Sequence, residues 1–179
     1  MKRERLLAAA CIFLLAAVGC MGPPEGIEPV DDFDIDRYLG TWYEIARLDH
    51  RFERGMSNVS ARYERRSDGA IRVVNRGFEE KSGAWESIEG KAHPAAEAGT
   101  GSLKVSFFGP FYGGYHVIAL DRESYRYAMV AGPSRSYLWI LAREPSLPKQ
   151  TLDRLLAKAR DLGFATEELI FVEHDRPES

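Results

Sequence analysis

Residues 39–55 read LGTWYEIARLDHRFERG, and this stretch carries the clearest structural signal in the chain. Polar and apolar side chains alternate along its middle, as they do in a strand with one buried face. Gly40 permits a close backbone approach at the start of this strand, and Trp42 adds a large apolar side chain. A second strand pattern, YLWILAR at residues 137–143, ends on Arg143. A guanidinium stacked on Trp42 would close one end of a barrel through a cation–π contact.

A Gly-x-Trp strand near the start and an arginine at the end of a late strand resemble the lipocalins. The likeness is densest at residues 39–55 and at residues 105–114 (VSFFGPFYGG), which resemble the bacterial lipocalins of the outer membrane. The resemblance implies an all-β fold, an eight-stranded antiparallel up-and-down lipocalin β-barrel with one C-terminal α-helix packed outside. It also implies that Gly40, Trp42 and Arg143 close the barrel.

Turn signals independently divide the chain into short strands of similar length. The predicted strands span residues 41–48, 58–66, 70–78, 84–93, 102–109, 114–121, 125–131 and 136–143. Eight such strands can close around one small ligand. One strong helix pattern covers residues 147–162, with Ser146 as the expected cap and an apolar stripe that should pack on the barrel. Residues 169–172 predict a short last strand.

The N-terminal residues predict a targeting segment followed by a tether. Residues 1–19 combine a basic start with an uncharged apolar run and read as a lipoprotein signal peptide. The small residues before Cys20 resemble a lipobox, which implies acylation of Cys20; an ordinary cleavable signal is the alternative. The residue after Cys20 is Met21 rather than an aspartate. By resemblance to the bacterial sorting rule, this implies the outer membrane rather than retention at the inner membrane. Residues 20–33 contain three prolines and predict an extended tether, at roughly 3 Å per residue, before the lipocalin domain at 34–179.

Composition excludes several classes of function. The formal net charge is −3 and no basic patch appears, which argues against binding nucleic acid. The two cysteines are Cys11 in the signal segment and Cys20 at its end, so no disulfide can form within the domain. The four histidines are scattered, without the spacing of a metal site. We expect no cofactor and no catalytic residues, since no nucleotide-binding or hydrolase motif appears.

Strand alternation predicts which side chains line the barrel. The candidate ligand-binding residues are Ala61, Tyr63, Val73, Ile88, Val105, Phe107, Val117, Tyr137 and Trp139. Tyr115 and Ala119 are also assigned inward, and the small residues Ala61, Gly90 and Ala92 predict space for a ligand. Such a wall favours an acyl chain, because each buried methylene contributes about 0.8 kcal/mol. A filled core without a ligand is the alternative for each residue.

Three further features could act at the mouth of the barrel. In the loop at residues 49–58, Arg51 and Arg54 could meet a phosphate or carboxylate head group, although a solvated hairpin is equally compatible. Residues 108–112 form an aromatic connection that could close the mouth, touch a membrane or form a homodimer contact. Closure and self-association are favoured over insertion. Glu44 is expected to point inward and to need a polar partner.

These observations and the resemblance predict a non-enzymatic lipid-binding protein. It would be held at the periplasmic face of the outer membrane through acylated Cys20 and would carry a fatty acid or lysophospholipid. The resemblance implies storage or transport of that lipid for envelope maintenance under stress. A lipocalin-fold enzyme is one alternative, and a scaffold for protein interactions through residues 108–112 is another.

Overall fold

The computed structural model describes residues 21–176. The signal segment and Cys20 lie outside the described residues, so the predictions made for them are untested. The elements, in chain order, are α1 (Ile35–Tyr38), β1 (Gly40–Arg47), β2 (Met56–Arg65), β3 (Ile71–Glu79), β4 (Ala84–Pro94), β5 (Ser102–Phe108), β6 (Phe111–Leu120), β7 (Tyr127–Ala131), β8 (Leu138–Ala142), α2 (Lys149–Asp161), a 3-10 turn (Thr166–Glu168) and β9 (Ile170–Phe171).

The first eight strands form a closed antiparallel barrel. Each pairs with its neighbour in the chain, and β1 closes the barrel by pairing with both β8 and β2. The short β9 pairs with Ala46 and Arg47, beyond the last residue of β1 that pairs with β2. This confirms the predicted eight-stranded barrel with a helix outside. One end, the floor, holds α1; the other, the mouth, holds the β1–β2, β3–β4, β5–β6 and β7–β8 connections.

Helix α2 packs on the outer wall of the barrel through the predicted stripe. Leu155 and Ala159 are buried there against Leu138 and Ile140 of β8, in an apolar cluster separate from the barrel interior. The helix begins at Lys149, and Pro148 is its N-cap without a side-chain hydrogen bond. The prediction of Ser146 as the cap was therefore wrong, because the chain enters the helix two residues later.

Two β-bulges change which side chains face inward. Pairing of β1 with β8 shifts between Glu44 and Ala46, and pairing of β6 with β7 shifts between Val117 and Ala119. After the second bulge, Ala119 packs in the outer cluster with α2. Its predicted inward position was wrong, because strict alternation fails across an extra residue.

Residues 21–33 pack along the barrel rather than extending from it. The ring of His116 bonds the carbonyl oxygen of Met21 at 3.0 Å, and the amide of Val30 donates to the carbonyl of Val117 at 2.8 Å. Ile27 and Phe33 are buried, in the outer and the inner cluster respectively. The expected reach of this tether was therefore wrong over the described residues, since apolar burial and backbone hydrogen bonds hold it to the wall.

Among residues 21–176, no helix is both long and apolar enough to cross a membrane.

Candidate ligand-binding site

The floor of the barrel is closed by the arginine at the end of β8. The Cζ atom of Arg143 lies 3.9 Å from the ring centroid of Trp42, which is fully buried. The guanidinium also donates to the carbonyl oxygens of Thr41 (2.9 Å), Arg37 (2.8 Å) and Tyr125 (3.2 Å). These bonds join α1, the start of β1 and the residues before β7. The stacked, fork-shaped guanidinium therefore ties these three segments together across the floor.

Gly40 is required by this closure. Its φ is +98°, and a Cβ atom added there would lie 3.2 Å from Nη1 of Arg143. Glycine therefore supplies both the backbone conformation and the space that the guanidinium occupies.

Three tyrosine hydroxyls meet inside the barrel above Trp42. The hydroxyl of Tyr115 lies 2.7 Å from that of Tyr38 and accepts a hydrogen bond from Tyr63 at 3.0 Å. Burial raises the pKa of Tyr63 to about 12, so its hydroxyl keeps its proton at neutral pH. The cluster is uncharged and satisfies its own hydrogen bonds, which suits a surface beneath an apolar ligand.

The predicted wall residues take up different positions. Tyr63, Val73 and Val117 are buried in the inner cluster, where they form its floor side. Four others pack on the same inner cluster but are only half-buried, although strands surround them: Ala61, Val105, Phe107 and Trp139. An inward side chain that keeps some accessible surface borders internal space or the mouth.

The remaining wall residues lie towards the mouth. Ile88 is 38% exposed, because β4 pairs with β5 only from Lys91 onwards. Tyr137 precedes β8 and stacks on Trp139, with ring centroids 6.1 Å apart. The space expected at Gly90 is filled, since a Cβ atom there would lie 2.7 Å from the Phe107 ring.

A buried ion pair lies inside the barrel below the mouth. Nη1 of Arg47 donates to Oε1 of Glu44 at 2.6 Å, and the two side chains are 1% and 4% exposed. Nη2 of Arg47 donates to the carbonyl oxygens of Glu53 (2.7 Å) and Met56 (3.1 Å). Burial and then repulsion from Glu53 raise the pKa of Glu44, and Arg47 opposes this shift. Glu44 therefore has the polar partner that its inward position requires.

The loop between β1 and β2 is fastened into the mouth by Glu53. Nε1 of Trp139 donates to Oε2 of Glu53 at 3.1 Å, and Nε2 of His50 lies 3.0 Å from the same oxygen. Burial opposes ionisation of Glu53, but His50 and Trp139 outweigh it and lower the pKa of this carboxyl. A carboxylate thus bridges the loop and the wall.

Several buried polar atoms of the interior have no protein partner. They are Nε of Arg47, Nδ1 of His50 and Oδ1 of Asn75, which pairs across the strands with Ala61. Unpaired buried groups of this kind are normally satisfied by water or by a ligand. The mouth side of the interior is therefore polar and contains both unpaired donors and unpaired acceptors of hydrogen bonds.

Sequence reasoning placed the polar contacts of the mouth on other residues. Arg51 and Phe52 are exposed, and Arg54 forms an exposed pair with Asp49 at 2.7 Å. The charges that lie within the mouth are instead Arg47, which is buried, and Glu53, whose side chain is 13% exposed. Arg47 was missed because simple alternation from Trp42 puts it on the outer face, and only the bulge at residues 44–46 turns it inward. Among residues 21–176, no group of three or more His, Cys, Asp or Glu side chains could hold a metal ion.

Comparison with known proteins agrees with the barrel fold. The lipocalin-like domain family matches residues 33–174. Outer membrane lipoprotein Blc of Vibrio cholerae is 52% identical over 155 residues, which cover 87% of this chain and 91% of that protein. The protein of the same name from Escherichia coli K12 is 51% identical over 166 residues, 93% of each chain. The structure of insecticyanin from the tobacco hornworm Manduca sexta superposes with a TM-score of 0.69 at 25% identity, covering 86% of this chain and 87% of that one. The chain therefore belongs to the lipocalin family, within its bacterial outer-membrane lipoproteins.

Proposed function

We propose that this protein is anchored by acylated Cys20 and binds one fatty acid or lysophospholipid in its barrel. It would store or transport that lipid for envelope maintenance under stress. The observation that carries the proposal is the set of inward apolar side chains that stay half-buried within a closed wall: Ala61, Val105, Phe107 and Trp139.

The apolar part of the wall suits an acyl chain. Burying a methylene contributes about 0.8 kcal/mol, so a long chain gains affinity without directional contacts. The hydroxyls of Tyr38, Tyr63 and Tyr115 bond one another, so the surface that meets the end of the acyl chain is uncharged.

The polar part near the mouth suits a head group. Nε of Arg47 and Nδ1 of His50 are buried without a protein partner, next to the carboxylates of Glu44 and Glu53. A phosphate or carboxylate oxygen could accept from Nε of Arg47, and a hydroxyl of the head group could donate to Oδ1 of Asn75. An amphiphile matches this division into an apolar floor and a polar mouth better than a hydrocarbon does.

Native mass spectrometry of the mature protein, extracted from membranes in mild detergent, tests the proposal. We expect the mass of one acylated chain together with one fatty acid or lysophospholipid. Ala61→Trp fills the interior and should lower the bound fraction by about tenfold, a loss of about 1.4 kcal/mol. Arg62→Trp, on the exposed outer face of the same strand, is the matched control and should bind normally.

Two results would overturn the proposal. One is a protein that neither retains nor takes up either lipid, and the other is equal binding by Ala61→Trp and Arg62→Trp. Circular dichroism of both variants establishes that the barrel is folded. The native mass spectra also report whether Cys20 carries acyl mass, and this tests the anchor separately from the barrel.

A further inference from the structure

The connection between β5 and β6 presents two aromatic rings to solvent at the mouth. Phe108 is 64% exposed and Phe111 is 78% exposed, and the two face each other across the strands. We call residues 108–111 the aromatic turn. Single exposed apolar side chains are ordinary, but two neighbouring phenyl rings at the tip of a hairpin indicate a surface that meets an apolar environment.

The large exposed apolar side chains of residues 21–176 lie in the mouth half of the barrel. Among residues 21–176, the large exposed apolar residues are Phe52, Ile88, Phe108, Phe111, Ile170 and Phe171. Phe52 lies in the β1–β2 loop, and Ile170 and Phe171 pair beside the mouth end of β1. Both ends carry exposed ion pairs, such as Arg54 with Asp49 at the mouth and Arg65 with Asp36 at the floor, but none of these large apolar residues lies at the floor. The two ends of the described barrel therefore differ in how much apolar surface they expose.

The N-terminal end of the described chain lies in the same region. The carbonyl oxygen of Met21 bonds His116, and a Cβ atom added to Gly114 would lie 2.5 Å from this oxygen. Gly114 is three residues along β6 from Phe111, or about 10 Å at the rise of a strand. Met21, the first described residue and the covalent neighbour of Cys20, therefore lies on the β6 wall close to the aromatic turn.

We propose that the mouth of the barrel rests on the phospholipid surface that holds the acyl chains of Cys20, with the aromatic turn inserted into it. This inference rests on the acylation of Cys20 in the proposed function. Two phenyl rings supply apolar area for the head-group boundary, and the bound path of residues 21–33 prevents the barrel from standing away from the surface. An amphiphile could then pass between the leaflet and the barrel without crossing water.

Spin labels on the acylated protein in vesicles of phosphatidylethanolamine and phosphatidylglycerol test this orientation. The mature chain has no other cysteine than Cys20, so Gly109→Cys labels the aromatic turn and Glu123→Cys labels the floor. We expect the ratio of oxygen to nickel-chelate collisions to rise about fivefold for the Gly109 label on adding vesicles, because the label enters the apolar boundary. The Glu123 label should be unchanged.

A second arm measures transfer of lipid. The double variant Phe108→Ser, Phe111→Ser should slow transfer of a fluorescent fatty acid from vesicles to the barrel by about tenfold. It removes the two phenyl rings that the proposal inserts into the lipid. Affinity for the same fatty acid in detergent should stay unchanged, since both side chains lie outside the interior.

The outcomes separate this inference from the proposed function. A protein that sediments with vesicles but keeps the Gly109 label in water overturns the orientation and leaves the anchor intact. Immersion of the Glu123 label, or dipolar coupling between Gly109 labels of two copies, overturns it as well, the latter in favour of a dimer contact. A chain without acyl mass on Cys20 would overturn both.

Discussion

The guanidinium of Arg143 lies over the fully buried indole ring of Trp42, with Cζ 3.9 Å from the ring centroid. The two residues come from opposite ends of the barrel sequence: Trp42 lies in β1, and Arg143 directly follows the neighbouring strand β8. Their contact, with the three carbonyl oxygens that Arg143 also binds, joins the first strand to the last at the floor.

Arg143→Lys should destabilise the protein by about 1–3 kcal/mol, because an ammonium keeps the charge but cannot serve three carbonyls and stack on the ring together. Urea unfolding of the mature protein, followed by tryptophan fluorescence, measures the loss. Arg126→Lys is the control, since that side chain is 74% exposed and contacts Asp121 at the surface. It should change stability by less than about 0.5 kcal/mol. Equal losses in the two variants would contradict a special role for the stacked arginine.

Tyr115→Phe should cost about 1–3 kcal/mol, because it leaves the buried hydroxyls of Tyr38 and Tyr63 without their shared partner. Tyr112→Phe keeps a ring that is half-buried at the edge of the aromatic turn and should be close to neutral. The same urea titration compares the two. A neutral Tyr115→Phe would mean that water replaces the lost hydroxyl.

Glu44→Gln should alter how stability depends on pH. Burial raises the pKa of Glu44 in the folded protein above its unfolded value, so the folded state binds the proton more tightly. The resulting stability is full at low pH and is lost as pH rises through the folded pKa. A glutamine does not titrate, so Glu44→Gln does not lose stability in this way. Its free energy of unfolding, relative to that of the original protein, should therefore increase as pH rises from about 4 to about 8.

Glu64→Gln should change the pH dependence of stability in the opposite direction. Arg72 lowers the pKa of Glu64 on the outer face, so the ionised form stabilises the fold at neutral pH and this contribution is lost on acidification. The variant should therefore lose stability relative to the original protein as pH rises. Unfolding free energies at several pH values give both differences, and parallel curves for the two variants would refute the assignment.

Gly90→Ala should destabilise the barrel by about 1–3 kcal/mol, because the new methyl group would lie 2.6 Å from the carbonyl oxygen of Ser106 and 2.7 Å from the Phe107 ring. Gly22→Ala, where an added Cβ meets nothing within 4 Å, is the matched control and should change little. Thermal unfolding is sufficient to rank the two. A stable Gly90→Ala would show that the Phe107 side chain and β5 can move aside.

Period-two alternation was enough to find the strands and most of the interior. Val73 and Trp139 could be assigned inward from the sequence because their strands keep regular pairing around them. Alternation could not assign Arg47 and Ala119, which follow bulges. A bulge depends on how a strand pairs with its neighbours, and the residue types at these positions do not predict it.

The sequence by itself determined the barrel, its closing contact and its outer helix, because local periodicity, turns and the Gly-x-Trp and arginine positions all specify the same arrangement. Only the tertiary structure decided that Arg47 meets Glu44 inside the mouth and that residues 21–33 follow the wall towards the aromatic turn. Both depend on contacts between segments distant in the chain, where bulged pairing and the burial of Ile27 and Phe33 select one path among several that the sequence pattern allows.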